Sequence, residues 1–183
     1  MTILHIDSSI SGEQSASRAI SRSIVDQLKN SQWGEELVHR DLAADPLPHL
    51  TLDAFADSST LDEFLTADTV VIGAPMYNFT LPTQLKAWLD RVLVAGRTFQ
   101  YTAEGPVGLA GGRRVIIALA RGGIYDAGSP AAALEHLETY LRGVFNFIGI
   151  EPEFVAADGL NISPEQKEQS VRAALGETVR LAA

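Results

Sequence analysis

The sequence predicts an α/β protein: a doubly wound, five-stranded parallel sheet with helices on both faces. Five short apolar runs, at residues 2–7, 36–40, 69–74, 115–120 and 153–157, alternate with stretches of helical periodicity. The third run, Thr69-Val70-Val71-Ile72, is continuous and β-branched, as in a strand buried on both faces. Alternating strands and helices require parallel pairing through right-handed crossovers, with both faces of the sheet covered. The expected strand order is 2-1-3-4-5, although other doubly wound orders fit the same alternation.

The helices follow in chain order. Between the first two strands, Ile20, Ile24 and Leu28 recur every fourth residue and form an apolar stripe. A shorter helix is expected at residues 61–65. After the third strand, Leu85, Trp88, Leu89, Val92 and Leu93 mark an amphipathic helix, with Gly96 as its stop. Residues 131–147 read as the next helix, opened by Ala131-Ala132-Ala133 and closed by Gly149. The last begins with the capping box Ser163-Pro164-Glu165-Gln166. Its buried face is expected to carry Val171, Ala174, Leu175, Thr178 and Val179.

With 183 residues, 46% hydrophobic and 20% charged, the chain fits one domain across 1–183. No apolar run approaches the roughly 18 residues a membrane span needs, and the N-terminus reads as a strand rather than a signal peptide. There is no cysteine, and the four histidines show no metal-ligand spacing, so neither a disulfide framework nor a metal is expected. The expected compartment is the cytoplasm. A net charge of −9 argues against a nucleic-acid partner, which needs clustered Lys and Arg.

In a parallel sheet the loops after the first, third and fourth strands emerge at one edge, where ligands bind. The first loop, residues 8–17, offers five serine hydroxyls ahead of a helix N-terminus, a phosphate-binding arrangement. No Gly-Lys-Ser/Thr follows, so it is not a nucleoside-triphosphate loop. The second, Met76-Tyr77-Asn78-Phe79, places a thioether, a phenol, a carboxamide and a phenyl ring just after Pro75 closes its strand. Such groups suit the face and polar edge of a flat heteroaromatic ring. The third, Ala120-Arg121-Gly122-Gly123, allows close backbone approach, and Arg121 offers a cation for an anion. Alone, each loop also fits a structural reading: an N-cap with a solvated loop, a loop tucked onto the core, a turn needing positive φ. Together they describe a mononucleotide with a planar ring. The dinucleotide fingerprint G-x-G-x-x-G is absent after the first strand.

Other residues draw attention without forming a motif. Asp7 ends the first strand, as in a phosphoacceptor site, but the matching acidic pair and lysine are not apparent. His5 reads as a core or sheet-face residue and Trp88 as core or interface packing. His39, His49 and His136 have no partner visible in the sequence.

Matching segments run through most of the chain. They are Asp7-Ser8-Ser9 with Ser15-Ala16-Ser17; Arg40-Asp41-Leu42-Ala43 with Pro46-Leu47-Pro48; Ala74-Pro75-Met76-Tyr77-Asn78-Phe79; and Gln84-Leu85-Lys86. Further along come residues 95–102 and 105–109, Arg121-Gly122-Gly123 and Phe147-Ile148-Gly149-Ile150. In these the chain resembles the FMN-dependent NADH-azoreductases, flavodoxin-like quinone and azo reductases. The resemblance implies bound FMN, with NADH as electron donor. Ser9, Ser15, Ala16 and Ser17 would hold its phosphate, and Met76, Tyr77, Asn78 and Phe79 would line the isoalloxazine. Ala120, Arg121, Gly122 and Gly123 would approach its pyrimidine end.

The implied activity is two-electron, ping-pong reduction of quinones and reductive cleavage of aromatic azo compounds. No catalytic side chain is expected, because the flavin carries the chemistry. Phe99, Tyr101, Tyr125 and Phe147 are the candidates to wall the acceptor pocket, each with core packing as its alternative. The resemblance also implies a homodimer, the usual form in that family, with two sites at the interface, each finished by the partner chain. Ala120 stands where relatives often carry serine, and residues 50–61 form a shorter segment than in many of them. A flavodoxin-type electron carrier without its own turnover is the alternative: the acidic charge suits it, and the second and third loops do not.

Overall fold

A computed structural model describes residues 1–31 and 36–181. The strands are β1 (Thr2–Asp7), β2 (Glu36–Asp41), β3 (Thr69–Pro75), β4 (Phe99–Thr102), β5 (Gly105–Gly108), β6 (Arg114–Ala120) and β7 (Glu153–Ala157). The helices are α1 (Ala16–Ser31), α2 (Leu52–Ala56), α3 (Ser59–Thr66), α4 (Thr83–Val92), α5 (Glu138–Phe147) and α6 (Pro164–Leu181). Five strands form one parallel sheet ordered β2-β1-β3-β6-β7, which is the expected 2-1-3-4-5 order with a hairpin inserted after the third strand.

Burial follows the two-faced pattern. Ile20, Ile24 and Leu28 of α1 pack with Ile3, Val71, Ile116 and Val155 on one side of the sheet, joined by Ala174 of α6. On the other side Phe64 of α3, Leu85, Trp88 and Leu89 of α4, and Leu141 and Phe145 of α5 enclose Leu4, Ile72 and Ile117. Trp88 is a core residue, edge-on to Phe64 at 5.9 Å. Every residue of β3 is buried, as its unbroken apolar run requires.

The antiparallel hairpin β4–β5 and the short α2 have no counterpart in the sequence reading. The hairpin is held against the end of α5, where Ala110 N donates to Ile148 O at 2.9 Å. Gly108 lies so close to the Gly149 backbone that a Cβ has no room there.

Two helix expectations need correction. α5 begins at Glu138, not at residue 131, and only a single 3₁₀ turn, Ala132–Leu134, precedes it. The Glu135 carboxylate sets the start by accepting from Leu137 N, Glu138 N and Thr139 N at 2.8–3.0 Å. Capping the free N–H groups of a first turn outweighs the helix propensity of the preceding alanines. On α6, Ala174 and Thr178 are buried but Val179 is 56% exposed. The Thr178 hydroxyl meets Ser23 Oγ of α1 at 2.8 Å, and the next position points about 100° away around the helix. Ser163 Oγ accepts from Gln166 N at 3.1 Å, the cap expected there.

Candidate functional site

The ends of β1, β3, β6 and β7 define one rim, and a cleft runs along it in two joined parts. The first, about 280 Å³, is lined by Ser9, Ser11, Gln14, Ser15 and Ala16 from the first loop, with Met76, Tyr77 and Ala120 opposite. The second, about 420 Å³, lies between Asn78 and Phe79 on one side and Gly123 and Tyr125 on the other. Met76, Gly122 and Asn161 line both parts, so the two are continuous. A hollow of about 490 Å³ follows the outer face of α6, but the residues of that one helix supply all its walls.

The polar end is built around the start of α1. Ser15 caps the helix, accepting from Arg18 N at 3.3 Å, while its hydroxyl meets Ser17 Oγ at 3.1 Å. The first N–H groups of a helix have no intrahelical acceptor and concentrate partial positive charge. Arg18 braces the loop from behind, donating to Ser9 O at 2.8 and 3.2 Å and gripping both Asp41 oxygens at 2.7 Å. That grip, with N–H donation from Ala43 and Ala44, holds the Asp41 carboxyl at about 2 against the opposing effect of burial. No carboxylate among the described residues lines either part of the cleft, although the chain carries −9 overall; Lys167 is the charged lining residue.

The flat end is a strained turn. Tyr77 N donates to Thr80 O at 2.9 Å and Thr80 N to Tyr77 O at 3.2 Å, with φ of +47° at Asn78 and +73° at Phe79. Two central residues with positive φ make a type I′ turn, which normally takes Asn-Gly. Asparagine tolerates this region, whereas phenylalanine there costs about 1–2 kcal/mol. The turn is pinned from outside by His136 N donating to Phe79 O at 3.1 Å and Thr80 Oγ1 donating to His136 O at 3.2 Å. Strain held in place by surrounding contacts is characteristic of functional loops. Tyr77 stitches the two ends together: its phenol oxygen accepts from Ile10 N at 3.1 Å and shares a hydrogen bond with Ser9 Oγ at 3.1 Å.

The structure separates the residues singled out in the sequence. Ser9, Ser15, Ala16, Met76, Tyr77, Asn78, Phe79, Ala120, Gly122, Gly123 and Tyr125 line the cleft, and Ser17 sits behind Ser15. Arg121 does not present its charge there. Its guanidinium grips Asp158 at 2.6 and 2.9 Å, reaches Glu138 at 3.3 Å and lies 3.6 Å from Glu135. Burial opposes its charge, but the three carboxylates outweigh burial and raise its pKa. This side chain therefore holds carboxylates of its own chain rather than an anion in the cleft, which its neighbours Ala120 and Gly122 line.

Phe99, Tyr101 and Phe147 also fall outside the cleft of their own chain. Phe99 and Phe147 pack with tilted rings, centroids 4.7 Å apart, on the core where the hairpin meets α5, and Tyr101 stands 74% exposed beyond them. Asn161 and Lys167 are lining residues absent from the sequence reading. Asn161 N donates to Gly122 O at 3.0 Å, laying the loop after β7 onto the glycine pair. Its place just past the end of the fifth strand, on the same rim, was the available signal.

Behind the first loop, the parallel register pairs His5 with His39 and Asp7 with Asp41. His39 Nε2 lies 3.0 Å from Asp7 Oδ2 and His5 Nε2 3.6 Å from Asp7 Oδ1. Ser21 Oγ joins them, 2.9 Å from His5 Nε2 and 3.2 Å from Asp7 Oδ1. Burial lowers the His5 pKa to about 4, with Asp7 opposing and His39, Arg22 and Arg18 assisting.

This fold and rim define a class of protein. The model of the family described as flavodoxin-like fold matches residues 1–181. The FMN-dependent NADH:quinone oxidoreductase 2 of Bradyrhizobium diazoefficiens is 52% identical over 201 residues, covering 100% of both chains. An azoreductase crystal structure from Bacillus anthracis superposes with a TM-score of 0.91 at 31% identity, covering 100% of this chain and 98% of that one. An FMN-dependent NADH-azoreductase of Bacillus anthracis in complex with FMN gives a TM-score of 0.85 at 26% identity over 100% of both chains. The chain belongs to the flavodoxin-like family of FMN-dependent NADH:quinone oxidoreductases and azoreductases.

Proposed function

We propose that this chain is an FMN-dependent NADH:quinone oxidoreductase that also cleaves aromatic azo compounds. The observation that carries the reading is the continuous cleft, ready for a phosphate at one end and for a flat ring at the other. The donor set fits FMN. Ser9, Ser15 and the N–H groups of Ala16 and Ser17 would hold the phosphate dianion, with Lys167 supplying positive charge. Met76 and the 77–80 turn would seat the ring, while the Gly122 and Gly123 N–H groups and the Asn78 amide would face its polar edge.

When bound, FMN supplies two-electron transfer between NADH and an acceptor. The protein binds, orients and tunes. Among the described residues no carboxylate lines the cleft, which leaves it open to anionic donors. Ala120 contributes a methyl group, so the ring's pyrimidine end would depend on backbone donors.

A homodimer with partner-completed sites is part of this reading. Phe79 is 43% exposed at the cleft mouth and Tyr101, edge-on to Phe99, is largely exposed on the β4–β5 hairpin, two apolar surfaces a second copy would cover. Among the described residues no helix is long and apolar enough to cross a membrane, and with no cysteine in the chain a cytoplasmic site of action is consistent. One domain over 1–183 is likewise inferred. The test is steady-state NADH oxidation by FMN-loaded protein with a benzoquinone. Rapid NADH loss that requires both FMN and quinone supports the enzyme. No turnover, with a stable one-electron reduced state in titration, replaces it with an electron carrier.

A further inference from the structure

We propose that His5, Asp7 and His39 form a binding site for a zinc-class divalent cation behind the serine loop, with water completing the shell. The reading is independent of the flavin assignment. Among the described residues this is the one grouping of three such ligands, with one donor atom from each lying within 4.8 Å of the others.

The sheet itself assembles the site. His5 and Asp7 are alternate residues of β1 and so share a face, and the parallel register sets His39 of β2 directly beside His5. The rings face each other with centroids 4.8 Å apart, and both Nε2 atoms point to the same carboxylate. Tetrahedral zinc with bonds of about 2.0–2.2 Å spaces neighbouring donors by about 3.4 Å. Each imidazole faces its own oxygen of Asp7, at 3.6 Å to Oδ1 and 3.0 Å to Oδ2, so a small rotation of the carboxylate and rings brings the three donors to that spacing around one ion.

Two imidazoles and a carboxylate are a borderline donor set, which suits zinc better than calcium or magnesium. His5 and Asp7 are buried, whereas the His39 side chain is 46% exposed, giving both an entry path and an open position for water. Ser21 Oγ lies 2.9 Å from His5 Nε2 and 3.2 Å from Asp7 Oδ1; a metal on Nε2 displaces the histidine contact and leaves the hydroxyl donating to Asp7, an orienting bond for a ligating carboxylate. Arg18, 3.6 Å from Asp7 Oδ2, opposes a cation, but its charge is matched by the two-point contact with Asp41.

The experiment uses untagged, FMN-loaded protein stripped with chelator and titrated with Zn²⁺ by calorimetry and with Co²⁺ by visible absorption. One equivalent should bind in the micromolar range, and Co²⁺ should give tetrahedral ligand-field bands. His39→Ala, at an exposed position, should weaken binding at least about tenfold and abolish those bands. His5→Gln, checked for folding by circular dichroism, should do the same, and His49→Ala should change nothing. Binding no tighter than millimolar in the parent protein, or unchanged binding in folded His39→Ala, overturns the proposal.

Discussion

Replacing Tyr77 with phenylalanine removes one oxygen and leaves the ring that packs beside the cleft. That oxygen makes the two contacts that join the serine loop to the strained turn, each at 3.1 Å. At about 1 kcal/mol net per neutral hydrogen bond, losing both costs up to about 2 kcal/mol. Ile10 is largely exposed, so water recovers part of the loss at its N–H, and about 1–2 kcal/mol is expected overall. The freed loop must be reordered when a phosphate binds, so the cost appears in cofactor affinity, as about 5- to 30-fold weaker FMN binding. Quenching of FMN fluorescence on titration with apo-protein measures this directly, with thermal melting run alongside. An FMN affinity within twofold of the parent would refute the idea that Tyr77 couples the two ends.

Other consequences follow from the same geometry. Riboflavin, which lacks the phosphate, should bind at least about a hundredfold more weakly than FMN, because charge-assisted bonds at the α1 N-terminus are lost; competitive titration compares the two. Gly122→Ala would place a methyl 2.5 Å from Asn161 Nδ2. That forces the Asn161 side chain off its rotamer at a cost of about 0.5–1.5 kcal/mol, or roughly 2- to 12-fold in FMN affinity, and Asn161→Gly should restore binding. Burial opposes ionisation of Glu135, but N–H donors from Thr139, Glu138 and Leu137 and the Thr139 hydroxyl outweigh it and lower its pKa. Its stabilising contribution is present above the ordinary value of 4.5 and is lost as pH falls through the lowered folded-state value. Glu135→Gln should therefore flatten the acid side of the stability profile, as read by denaturant melts across pH.

Much of this architecture is legible in the sequence for physical reasons. The central strands β1, β3 and β6 carry largely apolar runs because the sheet is covered on both faces there, and the 163–166 capping box specifies a helix start locally. The hairpin was not legible: Gly105-Pro106-Val107-Gly108 has no apolar run, and it forms a strand by pairing with Phe99–Thr102 while Gly108 packs onto the Gly149 backbone. The start of α5 depends on a carboxylate cap, and the fate of Arg121 depends on Asp158 and Glu138 arriving from other elements. Loop residues up to Gly123 were recognisable by type. Asn161 and Lys167 reach the cleft only because β7 ends on the same rim. His5 and His39 meet through a strand register, which spacing along the chain cannot reveal.

The central claim is that one cleft, joined by Tyr77, holds FMN so that NADH and an acceptor both reach it. Anaerobic addition of one equivalent of NADH to FMN-loaded protein, followed by one equivalent of benzoquinone, tests it through the flavin absorbance. The account requires the oxidised band to bleach with NADH and return in full with the quinone. A band that persists after NADH, or stays bleached after the quinone, contradicts it.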